Sequence, residues 1–552
     1  MQKLHVNEVV ATIMTQRFEP HWSCLTRNIL CVAVTALVVV PVAPTASAQS
    51  PLPRFERSDC LVDGDWAREV QRECGWLVVP ESRDRASANS LRLAVEVFRA
   101  REPTGAPPLV LLHGGPGGPG AIRLYSEGIA RSAYPQHRDV IIYDQRGAGF
   151  SEPRLCPAYD RVADSAFGFR ASAETDAMLR KARNACIAEL DAKGVDRLAF
   201  NTAANAVDLI DLRRALGYKS WDIRGASYGA RLAQEVMLRD GEAIHAVVLA
   251  SPVARSFPSR AEQPLSTQRA LERVFAACAQ QPLCRDAFPH VEQDFYTAYD
   301  ELTAAPVPVP VTRRDGRADT VWLNGTLLVT QLRDRTAERA ALARIPLLLH
   351  EVRSGDRVRA AREIVGKGSA PAILVGRAVR DLITCYDTYG AAYRKTLDSV
   401  NALARVPFRR AVDQECEEWL PRVADPSVRT AIRSDIPTLI MTGYFDDRTP
   451  TMYARRIAAT LSHAYLVELP DEGHDARPSR CHAAIVARFL EDPMQKLDTS
   501  CVAAISPIPF ATTWERAKDV ASSLNFGTGI AFLSGASEKL GPVLRLLVGR
   551  SF

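Results

Sequence analysis

The chain has 552 residues, 47% of them hydrophobic and 24% charged, with a formal net charge of +5. Such a length implies two or three folded units, and this balance excludes a disordered chain. So small a charge excess, with no Lys/Arg-rich run, argues against a nucleic-acid partner.

In chain order, the first feature is an export signal over residues 1–48. Arg27 supplies positive charge, Ile29 to Val40 is apolar, Pro41 ends the run, and Ala46-Ser47-Ala48 fits the cleavage pattern before Gln49. Met14 offers a second start that gives a more usual signal length. An apolar run this short spans about 18 Å in a helix, too little for a relaxed membrane crossing. Hence the expectation is a secreted or periplasmic protein with no stable membrane span after cleavage.

Residues 49–252 read as the first part of an α/β core. Leu109 to Leu112 and Val140 to Tyr143 are buried-strand runs, each ending in a turn cluster. A helical pattern from Thr202 to Leu216 stops at Gly217, and Trp221 to Ile223 is a strand. A helix then covers Ala230 to Arg239, and a further strand covers Ala246 to Ala250. This alternation implies a mostly parallel sheet with helices on both faces. From residue 253 to 430 strand runs become rare, and helical, Arg- and Ala-rich stretches are broken by the Pro-rich segment Ala305 to Pro310. That region reads as a mainly helical cap. The sheet pattern resumes over 431–501, with strands at Pro437 to Thr442 and Ala464 to Leu469 and a helix at Ala483 to Leu490. A tail of mixed amphipathic character fills 502–552.

Of twelve cysteines, Cys24 and Cys31 fall in the signal. The other ten form five local couples: Cys60–Cys74, Cys156–Cys186, Cys278–Cys284, Cys385–Cys416 and Cys481–Cys501. An even count in an exported chain suggests disulfides, and short loops close at the lowest entropic cost. No C-x-x-C spacing occurs, so a zinc site is not expected.

Gly225-Ala226-Ser227-Tyr228-Gly229 matches G-x-S-x-G between a strand and a helix, where a nucleophile elbow belongs. A serine hydroxyl needs a base to take its proton. His474 follows a strand in a Gly-His turn, and Asp446 follows another strand, with Asp447 beside it as the alternative acid. Asp475 adjoins the histidine too closely in sequence to support its ring. The order Ser, Asp, His is that of the α/β-hydrolase fold, with each member at the carboxyl edge of a separate strand. His113 to Gly118 (HGGPGG) is the matching loop for one oxyanion-hole N–H, assigned to Gly115, and Tyr228 supplies the other. Gly115-x-Gly117-x-x-Gly120, with Asp144 ending the next strand, also fits a dinucleotide fingerprint, which would make an oxidoreductase. Pro116 and Pro119 remove N–H groups that a pyrophosphate needs, and export takes the chain away from cytoplasmic cofactors. No cofactor or metal is expected. A binding protein that keeps the fold without chemistry is a further alternative.

With these residues in place, the chain resembles the tripeptidyl/prolyl aminopeptidase group of secreted α/β-hydrolases, from about Cys74 to Cys501. The likeness rests on Cys74-Gly-Trp-Leu-Val-Val-Pro80, the HGGPGG loop, Asp144-Gln-Arg-Gly147, Leu216-Gly-Tyr218 and the serine motif. Cys385-Tyr-Asp387, Gly443 with Asp446 and Thr449-Pro450, and Gly473-His474 complete it. Two departures stand out: Ser251-Pro252 replaces the family's usual Asp-Gly, and Asp446-Asp447 replaces its Asp-Pro. The resemblance implies a serine exopeptidase acting on N-termini, with the family's characteristic terminal module. Hydrolysis of small acyl esters is the alternative activity. Both ends of the cap attach at the catalytic edge of the sheet, so it is expected to roof the site. A roof that selects a cationic amino terminus should present a carboxylate, and Asp387, Glu415, Glu417 and Glu418 are the candidates, gathered by the expected Cys385–Cys416 bridge.

Overall fold

The computed structural model describes residues 52–84, 89–165, 173–257, 259–312, 318–366, 376–406, 412–420, 422–474 and 479–525. The export-signal expectation for 1–48, Asp475 and the tail beyond 525 lie outside the described residues.

Among the described residues, nine of the eleven strands form one sheet. They are β1 (Arg54–Arg57), β2 (Arg72–Pro80), β3 (Ser90–Phe98), β4 (Leu109–Leu112), β5 (Val140–Tyr143), β6 (Trp221–Ala226), β7 (Ile244–Ala250), β10 (Thr438–Gly443) and β11 (Ala464–Leu469). Their order is β1-β2-β3-β5-β4-β6-β7-β10-β11. The first three meet antiparallel, and β3 joins β5 antiparallel. From β5 onward every neighbour is parallel. Parallel strands need helical crossovers, which cover both faces, so central strands such as Leu109–Leu112 and Val140–Tyr143 are buried throughout. Alternate residues then serve different layers. On β6, Trp221 and Ile223 join the larger core with Leu232 and Val236, whereas Leu111, Val248 and Met441 belong to the layer that packs on Ile122, Ile485 and Phe489.

Between β7 and β10 the chain leaves the sheet and builds a mainly helical region with a core of its own, centred on residues such as Phe275, Phe295, Leu332 and Leu348. The Pro-rich stretch is not a break there. It forms β8 (Val307–Thr312), paired antiparallel with β9 (Ala318–Leu323). Val309 and Val311 face inward while Pro308 and Pro310 face solvent, and a two-stranded ribbon tolerates proline on its outward positions. The amphipathic alternation of valine and proline therefore outweighs the helix- and sheet-breaking character of proline alone.

Five disulfides join the five couples expected from the sequence, with Cα–Cα distances between 5.1 and 5.7 Å. Oxidised cysteines of this kind are consistent with an extracellular or periplasmic protein. Among the described residues no helix is long and apolar enough to cross a membrane.

Candidate active site

Ser227 stands between β6 and the helix Tyr228–Asp240, at φ 55° and ψ −117°. This strained left-handed conformation for a side-chain-bearing residue belongs to the sharp strand-to-helix turn. The flanking glycines are steric requirements: a Cβ on Gly229 would stand 2.2 Å from the Leu112 carbonyl oxygen, and one on Gly225 would stand 2.4 Å from the Gly229 oxygen. The turn is thus pressed onto the end of β4, which puts Ser227 beside the His113–Gly118 loop.

Asp446 follows β10 and His474 follows β11, two adjacent parallel strands. The three side chains meet in line: His474 Nε2 is 3.0 Å from Ser227 Oγ, and His474 Nδ1 is 2.9 Å from Asp446 Oδ2. Asp446 also accepts the backbone N–H groups of Arg448 (2.9 Å) and Thr449 (2.8 Å) and the Thr449 hydroxyl (2.7 Å). Burial by itself would raise the Asp446 carboxyl. The facing His474 and the hydrogen bonds from His474 and Thr449 outweigh it and bring it down to about 2. A carboxylate held ionised at this place fixes the ring with Nδ1–H toward the acid and Nε2 toward the serine.

Asp447 points elsewhere. Its carboxylate takes Thr336 Oγ1 at 3.1 Å, Gln263 Nε2 at 3.3 Å and Thr267 Oγ1 at 3.4 Å, and Arg333 lies 3.3 Å away. It fastens two cap helices, Ser259–Gln280 and Gly325–Thr336, to the acid loop. Thr449 is the residue that sequence reasoning used only as part of a motif. Its hydroxyl donates to Asp446, with the Ser251 carbonyl 2.9 Å away as a second acceptor, and a threonine three residues after an acid is the signal for such a turn.

The two proposed oxyanion donors both line the cavity above Ser227. Tyr228 opens its helix, so its N–H is one of the four without an intrahelical partner. Its side chain runs the other way, with the hydroxyl 2.9 Å from Thr202 Oγ1. Gly114 comes closest to the serine: a Cβ there would stand 2.9 Å from Ser227 Cβ. His113 is buried and donates Nδ1–H to the Gly114 carbonyl at 2.6 Å; burial pushes its pKa down to about 4.

Asp144 is not placed to hold a ribose. Its carboxylate takes the N–H groups of Phe150 (2.8 Å) and Ile122 (3.1 Å), and burial pushes it up to about 6. It ties the glycine loop to the turn after β5, which accounts for the dinucleotide-like spacing without a cofactor.

Of the four candidate anchors, Glu415, Glu417 and Glu418 lie away from the cavity. Only Asp387 borders the cavity, and it is buried and bound to Arg231 Nε at 2.9 Å as well as to Thr202. Glu415 and Glu418 turn to Arg183, and Glu417 takes the Tyr389 hydroxyl at 2.5 Å and faces Arg394. The Cys385–Cys416 bridge does gather these segments, but on the helix Val412–Trp419 the three glutamates meet Arg183 and Arg394, which do not line the cavity.

Comparison with known proteins agrees with this architecture. Residues 107–304 match the family model of the alpha/beta hydrolase fold, and residues 404–501 match that of TAP-like proteins. No curated protein matches the chain. Solved structures similar to it include an esterase from Thermogutta terrifontis, at 16% identity and TM-score 0.31, covering 70% of this chain and 88% of that one. Another is a proline iminopeptidase-related protein from Thermus thermophilus, at 20% identity and TM-score 0.31, covering 73% and 91%. An esterase from Exiguobacterium antarcticum matches at 16% identity and TM-score 0.27, covering 70% and 90%. By its sheet order, its serine elbow and these two family matches, the chain is an α/β-hydrolase whose C-terminal part is TAP-like.

Proposed function

We propose that the chain is an exported serine hydrolase working by acyl transfer, with Ser227 as nucleophile, His474 as general base and Asp446 as the group that orients the imidazole. The observation that carries this reading is the hydrogen-bonded line Asp446–His474–Ser227 opening into a cavity of about 730 Å³. His474 takes the serine proton as Oγ attacks the carbonyl carbon. The backbone N–H groups of Gly115 and Tyr228 receive the oxyanion. The imidazolium then protonates the leaving group, and water releases the acyl group by the same route.

The cavity is walled on one side by cap residues, among them Gln263, Arg333 and Asp387. Such a roof restricts substrates to chain ends or small molecules. The TAP-like match over 404–501 supports peptides as the substrate class, with release of N-terminal residues or short peptides as the activity. Ester hydrolysis is the second reading. It is favoured by one observation: the two cavity carboxylates among the described residues, Asp387 and Glu472, already hold protein partners. A panel of chromogenic peptides with free and acetylated N-termini, beside matched acyl esters, separates the two. An aminopeptidase cleaves the free peptides and spares the acetylated ones. Equal cleavage of both, with faster turnover of esters, overturns the aminopeptidase assignment.

A further inference from the structure

The wall of the cavity above Ser227 is rich in guanidinium groups. Arg224, Arg231, Arg260, Arg333, Arg380 and Arg448 line it, against two carboxylates among the described residues. Those two are engaged. Asp387 is taken by Arg231 and Thr202, and Glu472 by His482 Nδ1 at 3.0 Å and the Ser479 N–H at 2.8 Å. An ammonium group entering here would meet carboxylates whose oxygens are already hydrogen-bonded to the protein, on a wall that carries six guanidinium groups.

Three of the arginines have a layered arrangement. Arg380 is held by Asp381 at 3.1 Å, Arg448 by Asp334 at 2.8 Å, and Arg333 by Asp447 at 3.3 Å and Asp334 at 3.7 Å. None of these acids lines the cavity, so the guanidinium groups reach its wall while their counter-ions do not. A guanidinium carries five N–H donors, and one or two monodentate carboxylate contacts do not use them all. The three side chains are 22–35% exposed, enough for a ligand to reach and little enough for water to screen weakly. Their positions are tied to the loops that carry the reacting groups. Arg448 is two residues beyond Asp446, and Arg333 shares Asp447 with Thr336 on one cap helix. The backbone of Arg380 packs on the glycine loop, where a Cβ on Gly117 would stand 2.9 Å from the Arg380 nitrogen.

We propose that the substrate carries a carboxylate, and that Arg333, Arg380 and Arg448 select it. This inference rests on the serine-hydrolase reading and adds the charge of the substrate to it. The carboxylate has two possible sources: the free carboxyl end of a short peptide, or the far carboxyl of a dicarboxylic half-ester. Planar guanidinium forks suit either, because they match a carboxylate with two parallel hydrogen bonds.

The test compares kcat/KM within two matched pairs on the full chain. One pair is 4-nitrophenyl hydrogen glutarate against 4-nitrophenyl valerate. The other is a chromogenic tripeptide ending in a free carboxylate against its amide. At low salt at least one pair favours the anionic member by tenfold or more, and the pair that does so identifies the source. The preference shrinks in 0.5 M NaCl and falls several-fold in Arg380→Gln and in Arg448→Gln. A variant with impaired folding loses both members of a pair together and leaves the ratio unchanged, so the ratio reports on charge selection. Neutral members turned over as well as the anionic ones in both pairs, or a preference indifferent to salt and to both substitutions, overturns the inference. A neutral fluorophosphonate that labels Ser227 while no preference exists defeats the anion proposal alone. A chain that it does not label defeats the hydrolase reading, and this proposal with it.

Discussion

The sheet edge and the cap place their functional residues by different means. At the edge, position follows from the backbone: Ser227 in a left-handed turn, Gly229 pressed on Leu112, Asp446 and His474 just past two paired strands. In the cap, position follows from side chains that reach across long sequence distances, such as Asp387 to Arg231 and Asp447 to Thr336. Local backbone rules leave short motifs in a sequence. Distant ion pairs leave none. The proposed catalytic residues are therefore written in a form that can be read from the chain, while the cavity lining is not.

The seam between the two regions offers the largest stability effect. Arg231 and Asp387 are both buried, and Arg231 also donates to the carbonyls of Arg255 (2.9 Å) and Val428 (3.2 Å). Removing one member of such a pair strands the other charge, at a cost of about 3–5 kcal/mol. Asp387→Ala should lower the denaturation midpoint accordingly. Glu418→Ala, whose partner pair is about one-third exposed on the acid side, should change stability by less than about 1 kcal/mol. Similar losses in the two variants would erase the distinction between the seam acid and the outer acids.

A smaller effect belongs to the sheet edge. His113 is neutral in the fold, with a pKa of about 4 against an ordinary value near 6.5. A lowered folded pKa means that its contribution is complete above pH 6.5 and is lost as pH falls toward 4. The full difference is about 3 kcal/mol. Asp144, raised to about 6, acts in the opposite sense over the same window, so total stability alone is a poor readout. The difference between wild type and His113→Asn isolates the histidine. From pH 7 to pH 4.5 the wild type should lose about 2–3 kcal/mol more than the variant by chemical denaturation. Parallel pH dependences would show that His113 does not stay neutral.

How much the sequence discloses follows the same division. The strands that lead to the site are legible because they are short apolar runs closed by glycine or acidic turns, as at Leu109–Leu112 and Thr438–Gly443. The Ser227, Asp446 and His474 positions are legible because each terminates such a run. The disulfide couples are legible because each closes a local loop, the longest with a separation of 31 residues. The ribbon β8–β9 is obscured by its prolines, whose outward placement depends on register. The fates of Glu415, Glu417 and Glu418 are obscured because their partners, Arg183, Tyr389 and Arg394, lie on other elements of the chain. The arginine lining is scattered from residue 224 to 448 and has no motif.

The central claim is that Ser227, His474 and Asp446 act as one unit, and a double-mutant cycle in turnover tests it most directly. Ser227→Ala and His474→Ala should each reduce kcat by roughly 10⁴- to 10⁶-fold, and the double variant should be no worse than the poorer single one, because neither group works without the other. The cycle needs folded protein in all three variants, which intact disulfides and an unchanged denaturation midpoint establish. Near-ordinary turnover in Ser227→Ala, or losses that multiply in the double variant, would contradict the account.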